Sequence, residues 1–168
     1  RIIARIAKDN DCKTIIKSKS MTAEEIHLNP ALEREGFRVV ETDLGEWIIQ
    51  NRNEGPSHMV MPAIHLSRYQ VADLFSEITK KQQDREDVQK MVKVARKELR
   101  AEYVNADMGI SGANFAVADS GLIGTVTNEG NLRLVTTLPR VHVILAGLEK
   151  LIPTVADALR CIQVLHRN

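Results

Sequence analysis

Hydrophobic and polar positions along the chain alternate between two periods, and the change of period marks out the elements. The clearest pattern runs from about Asp84 to Tyr103, where Val88, Met91, Val92, Ala95, Leu99 and Tyr103 recur at spacings of three and four. It predicts an amphipathic helix whose opposite face of Lys, Arg, Glu and Asp is solvated. Upstream, residues 1 to 10 read as the end of a helix, and "CKTIIKSKS" places an apolar centre between polar flanks, a short strand at 13–18. "SMTAEEIHLNPALEREGF" then predicts a helix with Thr22 as N-cap and Glu25 completing a capping box. Pro30 either interrupts that helix or begins a second one at Asn29. Gly36 closes it, and "FRVVET" is the next strand. The order strand, helix, strand predicts a crossover and parallel pairing.

"GEWIIQ" reads as a further short strand. Ser67 and Gln70 form a second capping box ahead of "VADLFSEI", and polar residues 80–87 separate that helix from the next. Beyond Tyr103 the pattern shortens. "ANFAVADSG", "LIGTVTNEGN", "LRLVTTLPR" and "VHVILAG" read as short strands punctuated by Asp-Ser-Gly, Asn-Glu-Gly-Asn and Leu-Pro, a hairpin-like meander. "PTVADALRCIQVLHR" closes with a helix that Pro enters. The fold class is therefore α/β with a mixed sheet.

Composition changes this picture only by exclusion. The chain has 168 residues, 43% apolar and 27% charged, which suits one domain with a hydrophobic core and argues against disorder. A formal charge of +1 gives no global electrostatic case for nucleic acid or an anionic membrane surface. No apolar run approaches the ~20 residues of a membrane span. Cys12 and Cys161 are solitary, outside any CxxC or Cys/His cluster, and two lone thiols suit a reducing cytoplasm. The five histidines, His58 and His65 among them, lack metal-ligand spacing, so no metal site is expected. The chain opens on Arg1 rather than Met and stops at "CIQVLHRN"; it reads as a piece of a longer protein.

Three stretches carry candidate chemistry. In "KSKSMTAEE" a strand runs into a helix N-terminus, where unpaired N–H groups favour anions, and Ser18, Lys19, Ser20 and Thr22 would add hydroxyls and a cation. The plain alternative is a capped connection facing water. In "DLGEWIIQ", Glu46 stands among apolar residues; a partly buried carboxylate needs a partner or a raised pKa, and either makes it a candidate base. An exposed Glu at a strand edge is the alternative. Between Asp119 and His142 the turns crowd together Asp119, Ser120, Asn128, Glu129, Asn131, Arg133 and Thr137. Each loop alone is ordinary turn chemistry, but loops tied to apolar strands are where binding residues sit. No nucleophile elbow, P-loop or GxGxxG accompanies them.

The blocks "MGISGANFAVADSG", "TNEGNLRLVTTLPRVHV", "KSKSMTAEEIHLN" and "ETDLGEWIIQ" resemble the LUD-domain family of lactate-utilisation proteins, in order and over nearly the whole chain. The resemblance implies an α/β superfold shared with ribose-5-phosphate isomerase, glucosamine-6-phosphate deaminase and CoA transferases. It also implies oxidation of L-lactate to pyruvate together with two other lactate-utilisation proteins. Two [4Fe–4S] clusters are implied in a C-terminal ferredoxin-like region that this chain does not contain, so no cofactor is evident in the chain itself. On that reading Lys19 and Arg133 would meet a small carboxylate substrate, with Ser18, Ser20, Thr22, Asp119, Asn128 and Asn131 as further ligand contacts. Glu129, His142 and Glu46 are the candidate catalytic groups. Two other functions stay open: a non-catalytic docking module of the lactate-oxidising complex, and a phosphate- or CoA-type binding domain.

Overall fold

A computed structural model describes residues 1–127 and 129–165. Helix α1 (Ile2–Asp9) leads into strand β1 (Thr14–Lys17), and the short helices α2 (Met21–Glu25) and α3 (Leu28–Arg34) cross to β2 (Arg38–Glu41). Three helices follow, α4 (Leu44–Arg52), α5 (Arg68–Thr79) and α6 (Val88–Asn105), before β3 (Met108–Ser111), β4 (Phe115–Val117) and β5 (Ile123–Gly124). Helix α7 (Asn131–Thr137), β6 (Val141–Ile144), a 3-10 turn at Leu148–Lys150, β7 (Leu151–Ile152) and α8 (Val155–Leu165) complete the order.

Strands β2-β1-β3-β6 form a fully parallel sheet. Alternation along its strands sends side chains to two cores. Ile15, Val39, Met108 and Ile110 pack with α1 and α3 residues such as Ala7 and Leu32. Ile16 and Val40 pack on the other face against Trp47, Phe75, Met91 and Leu99 from α4, α5 and α6. Strands buried on both faces by helices are the normal condition of a parallel sheet. A second sheet, β5-β4-β7, pairs β4 antiparallel with β5 and parallel with β7, and α8 lays Ala158 on Phe115 and Val117. The α/β class with mixed pairing holds, the antiparallel part being confined to this small sheet.

Several predicted elements stand where the pattern placed them. The Ser67–Gln70 capping box starts α5, Gly36 turns the chain at φ +92°, and β1 and β2 pair in parallel. Helix α3 begins at Leu28 after a left-handed His27, with Pro30 in its first turn. Four readings are corrected. The cap of α2 is Ser20, whose hydroxyl accepts from the Ala23 N–H, and Thr22 lies inside the helix. "GEWIIQ" is helix, because Asp43 caps it through the Gly45 N–H and Trp47, Ile48 and Ile49 are buried. "LRLVTTLPR" is largely α7, with Val135 fully buried, so the late meander reduces to the β4–β5 hairpin. β3, between α6 and β4, went unread, and it is a central strand of the main sheet.

The strand order reverses direction around β1. The chain moves from β1 outward to β2, then returns across to β3 on the other side. In open parallel sheets that reversal opens a crevice beyond the carboxyl ends of the strands, the usual ligand position.

Candidate functional site

A cleft of about 510 Å³ lies at that end of the sheet, lined by Ser18 and Lys19 just past β1, by Asp43, Leu44 and Gly45 at the start of α4, and by Glu129, Asn131 and Leu132. Residues Val60 to Ile64 form the facing wall. Gly45 is required there, since a Cβ on it would stand 2.9 Å from the Pro62 ring.

Side-chain direction follows from the pleat. Lys17 and Glu41 are register partners in β1 and β2 and face the α2–α3 side, whereas Ser18 and Thr42 turn toward α4. The Thr42 hydroxyl donates to the Lys17 carbonyl at 2.8 Å, and the Asn131 amide donates to Thr42 at 3.4 Å, tying α7 to the strand ends. The hydroxyl oxygen of Ser18 is buried without a hydrogen-bond partner. A buried hydroxyl in that state is the kind a ligand satisfies.

Charge is concentrated around Lys19. Its ammonium lies 3.1 Å from Glu46 Oε1 and donates to the Val60 carbonyl at 2.6 Å. Glu46 is only 9% exposed. Burial, reinforced by a hydrogen bond and charge from Asp43, pushes its carboxyl up to about 8 against the opposing pull of Lys19. Glu129 reaches across to α4, where Oε2 accepts the Leu44 N–H at 3.3 Å. Its side chain lies open at the cleft mouth, yet partial desolvation there and the charge of Asp43 raise its carboxyl above the ordinary range. Two carboxyls raised above their ordinary range beside one lysine form an acid–base set.

These positions divide the residues read from the sequence. The cleft gathers Ser18, Lys19, Glu129 and Asn131, with Glu46 one ion pair behind Lys19. Ser20 is occupied as a helix cap, and Thr22 lies within α2. Asp119 is exposed after β4, where its N–H donates to the Pro153 carbonyl at 3.2 Å, and Arg133 is exposed on α7. His142, on β6, shares a 2.8 Å hydrogen bond between Nε2 and the Ser111 hydroxyl, and burial lowers its pKa. None of these five lines the cleft. Asn128 lies outside the described residues. Asp43 was missed, although Asp43-Leu44-Gly45-Glu46 has the spacing of a capping box; reading the segment as a strand hid it.

Glu46 carries a pH signature. Its folded-state carboxyl keeps a proton that the unfolded chain loses near pH 4.5, so its contribution to stability declines as pH rises from about 4.5 to about 8. Glu46→Gln is expected to flatten that part of the stability–pH profile and to become relatively more stable than the parent chain at pH 8. Denaturant midpoints measured from pH 5 to pH 8 check this, and an unchanged slope in the variant would place the carboxyl outside the buried set.

Comparison with known proteins agrees with the sequence blocks. The sequence profile of the LUD domain matches residues 1–168. The chain belongs to the LUD-domain family. Among the relatives of this LUD domain are lactate utilization protein B of Shouchella clausii, 46% identical over 99% of the chain, and that of Oceanobacillus iheyensis, 44% identical over 98%. The protein of the same name from Bacillus subtilis is 44% identical over 99% of the chain. The LUD domain spans about a third of the length of these relatives (34% and 35%). No solved structure matches it. Among the described residues no group of three His, Cys, Asp or Glu is placed to hold a metal ion, and no helix is long and apolar enough to cross a membrane. Cys12 is buried against α1, and Cys161 is exposed on α8. The residues present do not fit an iron–sulfur cluster.

Proposed function

We propose that this LUD domain binds a small carboxylate, L-lactate or pyruvate, and takes part in the oxidation of L-lactate to pyruvate within a longer cytoplasmic protein. Electron transfer belongs to iron–sulfur clusters outside these 168 residues. Two other lactate-utilisation proteins are its expected partners. The observation that carries this reading is the Lys19–Glu46 pair at the end of β1, facing Glu129 across the cleft. A substrate carboxylate would take the Lys19 ammonium from Glu46, which can hold the proton that neutralises it. The unpartnered Ser18 hydroxyl and the Asn131 amide are placed to orient the substrate. Glu129 would accept the proton of the substrate hydroxyl. Of the two bases read from the turns, His142 is engaged by Ser111, so the geometry favours Glu129. The parallel sheet with its cleft at the strand ends also supports kinship with the ribose-5-phosphate isomerase and CoA-transferase superfold.

The docking-module reading is favoured by a different region. Leu148 in the 3-10 turn is 91% exposed, and Leu159 and Val164 on α8 are also exposed. Such apolar positions suit contact with another protein surface.

Thermal unfolding with L-lactate, pyruvate, a sugar phosphate, CoA and NAD separates the readings, because a ligand of the native state raises the melting temperature. Lactate or pyruvate is expected to raise it, and Lys19→Met to weaken that binding by about tenfold or more, the loss of one charged hydrogen bond. Arg133→Ala tests the other cation, and loss of binding there would move the site to α7. A shift with phosphates alone supports the superfold's other chemistries. No shift in a well-folded chain supports docking.

A further inference from the structure

We propose that a second cleft, on the α2–α3 side of the sheet, binds a small organic ammonium ligand. It encloses about 430 Å³, and Glu41 and Asn29 lie in its wall. Glu41 is 3% exposed. Its Oε1 atom accepts from the Lys17 ammonium at 2.9 Å and from the Asn29 side-chain amide. Its Oε2 atom and the Asn29 Oδ1 atom are buried with no hydrogen-bond partner. The orientation of Asn29 is fixed by chemistry, since only its NH₂ can face a carboxylate.

The wall of the cleft therefore holds two buried acceptors that lack donors. Leaving a buried acceptor unmade is costly, so the complementary ligand must bring N–H or O–H groups. Charge narrows the choice. Glu25 and Glu33 line the same cleft, and no lysine or arginine does so among the described residues, which disfavours an anion. The described residues offer no three-ligand arrangement for a metal ion. Ile49 and Met59 give the walls apolar surface, suited to a short alkyl body. A primary ammonium on an alkyl chain satisfies all of these features. Neither Lys19 nor Glu129 lines this cleft; Glu46, which pairs with Lys19, does, so the two clefts meet at that carboxyl while Glu41 and Asn29 belong to this one alone.

Isothermal titration of the chain with n-butylammonium chloride, at constant ionic strength, tests it, with n-butanol, sodium butyrate and magnesium chloride as parallel probes. Saturable binding of n-butylammonium alone is expected. Glu41→Gln should weaken it by about tenfold or more, through loss of a charged hydrogen bond. Met59→Trp, at an exposed loop position that narrows the mouth, should weaken it as well; if Glu41→Gln fails to fold, Met59→Trp decides alone. The proposal is overturned by absence of saturable n-butylammonium binding, by equal binding of n-butanol, which would mean an apolar crevice only, or by equal binding of magnesium. Full binding retained in the folded variants would overturn it equally.

Discussion

Lys17→Met is expected to destabilise the domain by about 3–5 kcal/mol, the usual cost of removing one partner from a buried ion pair. Lys17 is fully buried at the end of β1, its ammonium 2.7 Å from Glu24 and 2.9 Å from Glu41. Burial alone would lower its pKa, but Glu41 and Glu24 outweigh that and hold the ammonium above its ordinary range. Glu24 is partly exposed and can rehydrate when the lysine is lost, whereas Glu41 is enclosed. Burial already raises the Glu41 carboxyl, with Lys17 and Asn29 opposing the rise, so loss of Lys17 drives it toward the protonated form. The double variant Lys17→Met/Glu41→Leu is expected to recover most of the loss, because no uncompensated charge remains. Denaturant unfolding of the two variants checks this. A double variant as unstable as the single one would show that the lysine matters through packing instead.

The second large effect is expected at Gly109, in the middle of β3. A Cβ there would stand 2.0 Å from the Val135 carbonyl oxygen, so α7 lies directly on the strand backbone. Gly109→Ala is expected to cost about 3 kcal/mol, in the range for overpacking a tight core. It should also weaken carboxylate binding in whatever fraction stays folded, because α7 carries Asn131 and Leu132 into the cleft. Melting temperature and ligand titration measured on the same sample separate the two effects. A variant as stable as the parent would mean that α7 can move away from β3 freely.

Those two positions show what the pattern of residues could and could not convey. Helix α6 was legible because it is long and half-solvated, so its period is visible. Helix α5 was legible from its capping box, and β1 and β2 from apolar runs between polar flanks. Helix α4 was not, because Trp47, Ile48 and Ile49 are consecutive and all buried, which erases the helical period. Helix α7 is short and rich in Val and Thr, residues of strand preference; it is held by Val135 against Gly109 and by the Thr137 hydroxyl donating to the Arg133 carbonyl. β3 is four residues long and buried throughout, with a glycine inside, so it shows no alternation.

The candidate site was legible in its parts and not in its assembly. Lys19, Glu46 and Glu129 were each singled out, but nothing in their spacing shows that 85 residues of separation close to one hydrogen bond between Leu44 and Glu129. That closure depends on β3 pairing beside β1 and on α7 packing over it. Asp43 was hidden by the same misreading that turned α4 into a strand.

The most direct test of the carboxylate cleft is an amide nuclear magnetic resonance titration of the chain with L-lactate. Saturable shifts are expected at Ser18, Lys19, Leu44 and Asn131, and their loss in Lys19→Met. Shifts centred on Asp119, Arg133 or His142, or none at all in a folded sample, would contradict the assignment of the site.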